Sequence, residues 1–523
     1  MIRVLVIFSL ITFAITAKAS DFSVNVALSA VTAAGNGNKS AVTTAVREFY
    51  EAREFAPVWV GEAGINAQGI RLLETLGNAD AIGLNSAAYG VVPPKTGSAQ
   101  DLAKFERALT LAAIRFAQHL SAGQVTAAQM RAGYQNAAKP IDPALFLTMI
   151  DTGAEPSAVF DAIGPSDAAY RQLVAAYNDL RTAVAAGGWT RVDAGPTIWP
   201  GDMGPRVVQL RRALAERGDY SARYVADATV YDVALADAVK RFQSRHGLAE
   251  DGAVGRGTRA ALNVSATERL AQIRVNLDRR RWLNNPDAER RIDVNLPAYT
   301  LAVIDGEDVT YTSRVVVGSR RHQTPEFSAD LSYLVVNPYW YVPSRIASQE
   351  LLPKLREDPY ALAAKGFKAF TSWDSNGVQV DWGSVDWASM DRMPFYLRQD
   401  SGAGNALGEI KFMLPNHHNI YLHDTPAKRL FARSMRAFSH GCIRLADPRG
   451  LAAHLLADQQ GWDRQGIARR IAGGKRRTVT LGAEVPVRML YHTAWVDEAG
   501  TLHLRADVYG RDRQMARLLE PRV

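Results

Sequence analysis

The segment Ile420-Tyr421-Leu422-His423-Asp424-Thr425-Pro426, followed after a loop by Ser439-His440-Gly441-Cys442-Ile443-Arg444-Leu445, decides how this sequence is read. Cys442 is the only cysteine of the chain, so it has no partner for an intrachain disulfide. A lone cysteine is by default a small apolar residue, and only its neighbours turn it into a reagent. A thiol attacks as the thiolate and needs a base or a positive environment to ionise near neutral pH. Two histidines are candidates. His440 precedes Cys442 by two residues, and across Gly441 the two side chains point to different sides of an extended segment, which makes His440 an orienting group. His423 ends a strand-like apolar run before a turn and can approach the thiol from an adjacent strand, which makes it the expected base.

Gly441 permits a sharp turn and a close approach of backbone to substrate. Backbone N–H groups there can face a developing oxyanion, worth several kcal/mol in acyl transfer. Arg444, two residues after the cysteine, falls on the same side of an extended segment and can clamp a substrate carboxylate; the plainer alternative is a surface salt bridge. Asp424, through its backbone or its side chain, would hold the imidazole of His423 in one tautomer. Ser439, Tyr421 and Trp340 complete the candidate substrate-binding set. His417-His418 lacks the further ligands of a zinc site, so neither a metal nor another cofactor is expected.

Outward from this centre, 523 residues exceed what one hydrophobic core usually organises and predict several domains. Met1 and Arg3, the apolar run Val4 to Ile15 and Ala17-Lys18-Ala19 follow the order of a secretory signal peptide over 1–19. The plainer alternative is an uncleaved anchor. No later apolar run approaches the roughly 20 residues of a membrane span. The net charge of +8 is spread over single residues and short clusters such as Arg279-Arg280-Arg281. For an exported chain this favours solvated helices or an anionic wall over nucleic acid.

Residues 20–190 read as a mainly α domain. A low-complexity stretch near Ala30 to Lys39 precedes helical patterns at Val42 to Phe55 and Leu102 to Leu120, the latter with Phe105, Leu109, Ala112, Ala113 and Phe116 on one stripe. A Pro/Gly cluster at Pro196 to Gly204 opens a compact unit over 197–265. Its apolar faces are Val207/Leu210/Leu214 and Leu235/Val239/Phe242, and the turn Asp251 to Gly255 leads into a third helix at Thr258 to Leu262. A basic linker helix over 266–290 gives way to strands at Arg291 to Leu296, Tyr299 to Ile304 and Val309 to Val317. The β domain over 291–490 is interrupted at about 344–408 by an insertion with helical Ile346 to Leu355 and Trp373, Trp382 and Trp387, expected to cap the site. Residues 491–523 form an extension with no assigned role. The fold class is multidomain α+β.

Two resemblances follow from these residues. The unit from Gly201 to Asn263, with Leu210-Arg211, Ala238-Val239-Lys240-Arg241-Phe242-Gln243, His246-Gly247-Leu248 and Asp251-Gly252, resembles the three-helix peptidoglycan-binding domain. His423 with Ser439-His440-Gly441-Cys442 resembles the signature of L,D-transpeptidases, and Ile443-Arg444 the periplasmic murein branch, where arginine replaces the asparagine of the commonest pattern. Tyr333 to Pro343, Asn405 to Gly408 with Lys411-Phe412, and His423 to Pro426 extend the likeness to the larger members with a helical scaffold, a peptidoglycan-binding module and a capping insertion.

The resemblance implies a periplasmic, cell-wall-associated enzyme with peptidoglycan stem peptides as partners, possible contacts with other wall-synthesis enzymes, and no cofactor. Cys442 would take the acyl group of a tetrapeptide stem with release of D-alanine, and a second stem amine would receive it to give a 3-3 cross-link. Water as acceptor would make the chain an L,D-carboxypeptidase, and a protein amine a wall-anchoring transferase. A rival of another class is an idle wall-binding scaffold; an unpaired thiol beside two histidines in an oxidising compartment argues against it.

Overall fold

The computed structural model describes residues 24–34, 40–61, 63–135, 137–221, 225–283, 289–374 and 376–520. The leader read at 1–19 lies outside the described residues. The chain divides into two compact units. One is drawn from residues up to 124 with 138–178 and 280–284; the other comprises 125–137, 179–279 and 285 onward.

The first unit is helical, with a short hairpin of β1 (Val60–Gly61) and β2 (Gly64–Ile65). Its central helix, Ala99–Ala122, starts at an N-cap where Ser98 accepts from the Asp101 N–H. The expected stripe of Phe105, Leu109, Ala112, Ala113 and Phe116 is buried. Beside it the buried carboxylate of Glu106 accepts from the Tyr50 hydroxyl (2.8 Å) and from the N–H groups of Val58 (2.6 Å) and Trp59 (2.9 Å), so a charge inside the helical core is fully hydrogen-bonded. The helix Ala168–Ala185 runs through the division at 178.

In the second unit the helices Pro205–Ala215, Val233–Arg245 and Arg256–Leu262 bury Val207, Leu210, Leu214, Leu235, Val239, Phe242 and Leu262 in one core. Gln243 pins the turn after the second helix, donating to Asp251 Oδ1 (2.8 Å) and accepting from the Gly252 N–H (2.9 Å).

The helix Ala266–Arg281 was expected to be a basic linker, and the structure corrects this. Over its portion in the second unit Ile273, Val275, Leu277, Asn276 and Arg279 are buried. Arg279 can be buried because its guanidinium meets Asp512 Oδ1 at 2.5 Å, a partner 233 residues away.

The largest sheet contains β3 (Arg290–Asn295), β4 (Thr300–Asp305), β5 (Asp308–Gly318), β6 (Phe327–Val336), β11 (Ile410–Met413), β12 (Leu422–His423), β13 (Ala437–Ser439), β14 (Ile443–Leu445) and β15 (Arg477–Leu490). Its order is β13-β5-β14-β12-β11-β6-β15-β3-β4, and a β4–β5 pairing closes it on itself. The inner face carries Ile292, Val294, Leu334, Ile410, Phe412, Leu422, Ile443 and Leu445, with Leu451 and Ile467 from the helices Pro448–Leu455 and Arg464–Ala472 against it.

The insertion is an α/β subdomain, not only helical. The strands β7 (Trp340–Tyr341), β8 (Phe367–Phe370), β9 (Gln379–Val380) and β10 (Tyr396–Gln399) form a separate sheet in the order β7-β10-β8-β9. Strands of two to four residues show too little alternation to be read from sequence. Its core, including Leu352, Leu355, Trp382, Trp387 and Leu397, is distinct from that of the large sheet, which draws on no residue between 337 and 409. Deleting 346–400 is therefore expected to leave a cooperatively unfolding β domain, checked by circular dichroism and a thermal melt. Loss of folding would make the insertion part of the main core.

The extension beyond 490 is built into this unit. The hairpin of β16 (Ala494–Val496) and β17 (Leu502–Leu504) precedes the helix Arg511–Leu519. The Tyr509 hydroxyl donates to Gly318 O (2.6 Å), and Arg511 pairs with Glu326 (3.0 Å).

Candidate active site

The sheet register brings the candidate residues together. His423 of β12 pairs with Arg444 of the parallel strand β14 and with Lys411 of the antiparallel strand β11, so three cationic residue types occupy one rung of one face. The neighbours Phe412, Leu422 and Ile443 point the other way into the core and are fully buried. Tyr421 and Cys442, each two residues before a member of that rung, extend the same face. The Ile443 N–H donates to Tyr421 O (3.1 Å) and ties the two segments at this point.

A single hydroxyl shapes the turn before the thiol. Ser439 Oγ accepts from the Gly441 N–H (3.1 Å) and donates to Cys442 O (2.6 Å), while Thr324 Oγ1 donates to Gly441 O (2.7 Å). Gly441 has φ +116°, a conformation L side chains avoid. The Gly441 N–H is taken by Ser439 and the Ile443 N–H by Tyr421. The Cys442 N–H is the amide of this turn without a partner among the described residues.

The Cys442 thiol lies 3.8 Å from Asn419 O, and the Tyr421 hydroxyl reaches it as a donor, with Trp340 of β7 in contact with the same hydroxyl. Burial pushes the thiol pKa up; the Tyr421 hydrogen bond and the positive charges of Lys411 and Arg444 oppose that rise. Burial also raises the Tyr421 phenol, so it stays protonated and able to donate.

His423 is buried, and its Nδ1 lies 2.5 Å from the carbonyl oxygen of Asp424. A carbonyl only accepts, so Nδ1 carries the proton and the neutral ring keeps its lone pair on Nε2. Burial first, then the charges of Arg444 and Lys411, push the imidazole pKa down to about 3. The Asp424 side chain faces elsewhere: Oδ2 accepts from the Glu409 N–H (2.9 Å) and Oδ1 from Lys428 Nζ (2.5 Å). Of the two ways Asp424 could orient the histidine, the geometry selects the backbone carbonyl.

Gly408 makes room for this arrangement. Its φ is +60°, and a Cβ there would lie 2.3 Å from Asp424 Oδ2. Gly408→Ala is expected to lower stability by about 2 kcal/mol, through backbone strain and overpacking together, and a shift of the thermal transition measures it.

Arg444 is partly buried, and its Nε has no hydrogen-bond partner. Burial lowers its pKa. The surface salt bridge considered for it is absent among the described residues. His440 is on the outside of the turn: Nε2 meets Glu350 Oε1 at 2.5 Å, and the ring stacks on His322 at 4.6 Å between centroids. It thus links the Cys442 turn to the helical part of the insertion.

Sequence reading missed two members of this site. Lys411 entered only through a resemblance, although Ile410-Lys411-Phe412 alternates and so puts a lysine on the face opposite the core. Glu350 carried no local signal.

Comparisons with known proteins agree on the domains. Residues 289–486 match the L,D-transpeptidase catalytic domain family (YkuD), 44–176 the scaffold domain and 203–262 a "Putative peptidoglycan binding domain". A Haemophilus influenzae protein named "Putative L,D-transpeptidase" is 37% identical over 250 residues, covering 48% of this chain and 49% of its own length. The chain therefore spans about half the length of that relative. Among solved structures, an L,D-transpeptidase from Mycobacterium smegmatis is 15% identical with a TM-score of 0.20, covering 39% of this chain and 60% of that one. An L,D-transpeptidase from Stackebrandtia nassauensis is 14% identical with a TM-score of 0.21, covering 58% and 96%. In chain order the matched stretches are thus similar to a scaffold domain, a "Putative peptidoglycan binding domain" and an L,D-transpeptidase catalytic domain.

Proposed function

We propose that this chain, with its L,D-transpeptidase catalytic domain, is an exported periplasmic enzyme that joins peptidoglycan stems by 3-3 cross-links through a Cys442 thioester. The observation that carries the reading is one sheet face on which the only thiol adjoins a tyrosine hydroxyl, a neutral buried histidine and two cations without acidic partners among the described residues. The peptidoglycan-binding domain supports the choice of substrate, and the 1–19 leader the location.

In the first step the Cys442 thiol gives its proton to Nε2 of His423, and the thiolate attacks the carbonyl carbon of the third residue of a tetrapeptide stem. The Cys442 N–H and the Tyr421 hydroxyl are the donors for the oxyanion. The tetrahedral centre collapses, the bond to the D-alanine nitrogen breaks, and the imidazolium returns its proton to that amine. In the second step the side-chain amine of another stem attacks the thioester, gives a proton to His423 and restores the thiol. Arg444 binds a stem carboxylate, and Trp340 and Ser439 shape the groove and the turn. Burial and the neighbouring cations keep His423 neutral before the reaction, and the negative charge that develops on the thiol beside it offsets this as the proton moves to Nε2.

This gives a pH prediction with a definite sign. The kcat/KM profile is expected to show no acid limb near 6.5 from His423, and any rise from ionisation of the thiol is expected on the alkaline side, because burial pushes that pKa up. A limb at 6.5 that disappears in His423→Gln would contradict it. The function itself is tested by incubating the chain with disaccharide-tetrapeptide and following products by mass spectrometry. D-alanine with dimers joined between third-position residues is expected. Tripeptide monomers alone would make water the acceptor, and no product would leave the domain without this activity.

A further inference from the structure

We infer that Lys411 is an electrostatic positioning residue for the reaction, its ammonium group supplying the positive charge that stabilises the Cys442 thiolate as the thiol gives up its proton. The inference rests on the reading of Cys442 as the nucleophile.

The backbone determines where Lys411 stands. It lies mid-sheet, opposite His423 on one side and Val335 on the other, between Ile410 and Phe412, which are both fully buried on the core face. Its Nζ sits 4.0 Å from the centroid of the Tyr421 ring, whose hydroxyl donates toward the thiol. A cation on that ring face withdraws electron density from the phenol and strengthens its O–H as a donor.

A purely structural lysine in such a place should have an acid beside it, because a desolvated charge without a counter-ion is costly. Several cations of this unit obey the rule: Lys428 pairs with Asp424, Arg449 with Glu409, Arg488 with Asp293 and Arg511 with Glu326, whereas Arg444 on the same rung does not. Among the described residues Lys411 has no such pair, and the groups that face it are Tyr421, Cys442, His423, Arg444 and Arg476. The one group of this set that becomes an anion during the proposed reaction is the thiol.

Burial in the same cluster disfavours a standing imidazolium at His423 before the thiol is engaged. Arg444 also faces the thiol, but a bound substrate carboxylate would neutralise it.

The test uses the full chain and its single cysteine, so that alkylation by iodoacetamide, a neutral reagent, reports one thiol by mass spectrometry. Lys411→Met and Lys411→Gln are expected to raise the midpoint of the alkylation–pH curve by about one unit, slowing labelling at pH 7 about tenfold. Lys411→Arg should restore it to within about twofold. The kcat for D-alanine release should fall in parallel with KM unchanged. Two neutral variants are used because one may fold poorly, and a thermal melt identifies the folded one. An unchanged midpoint in a folded neutral variant would overturn the inference. A shifted midpoint with full turnover, or an active Cys442→Ala, would instead overturn Cys442 as nucleophile.

Discussion

Cys442→Ala is expected to release D-alanine from tetrapeptide stems about 10⁴- to 10⁶-fold more slowly than the unchanged chain, because removing the nucleophile of a catalytic set removes the covalent path outright. Stem binding should survive. Arg444, Trp340 and Tyr421 remain, and the turn at Ser439 to Cys442 is closed by backbone and Ser439 contacts that alanine preserves. Cys442→Ser is the sharper version. Serine keeps the size and the hydrogen bonds, but its hydroxyl ionises far less readily than a thiol. The cations that favour a thiolate cannot bring it within reach of neutral pH, so this variant should also be inactive. Calorimetric titration with tetrapeptide together with product analysis separates the outcomes. A Cys442→Ala protein that binds and still turns over would move the chemistry to another residue.

The second large effect is on stability. Arg279→Met is expected to destabilise the unit containing the large sheet by about 3–5 kcal/mol, the usual consequence of leaving one half of a buried ion pair. Arg279 is 1% and Asp512 8% exposed, the pair is 2.5 Å apart, and Asp512 also accepts from the Thr493 hydroxyl at 2.5 Å. Methionine fills most of the space beside Tyr491, so the loss is mainly that of the charge partner. Combining it with Asp512→Asn should recover part of the loss, since the uncompensated carboxylate is then gone. Scanning calorimetry reads both variants. A double variant no better than Arg279→Met would show that packing, not charge, dominates at this position.

These two sites differ in how far they could be read in advance. Cys442, His423 and Arg444 lie within 22 residues in two short segments, and strand alternation relates Cys442 to Arg444 directly. Which amide of the turn is free could not be read, because it depends on where the Ser439 hydroxyl turns. Lys411 and Glu350 were invisible as site members. Lys411 meets His423 through the pairing of β11 with β12, and Glu350 meets His440 from a separate subdomain.

By itself the sequence determined the mainly α first region, the three-helix module, the opening strands of the β domain and the two segments that form the site. Each is specified by apolar periodicity or turn residues within a window of about 20 positions, and such local patterns survive whatever surrounds them. Only the tertiary structure decided the burial of the arginine-rich helix, the sheet of the insertion, the Asp424 carbonyl as the histidine's partner and the rung of Lys411, His423 and Arg444. These depend on strand register and on charge partners up to 233 residues away, such as Asp512 for Arg279. No local propensity encodes a register or a counter-ion; both are chosen when the remote segments pack.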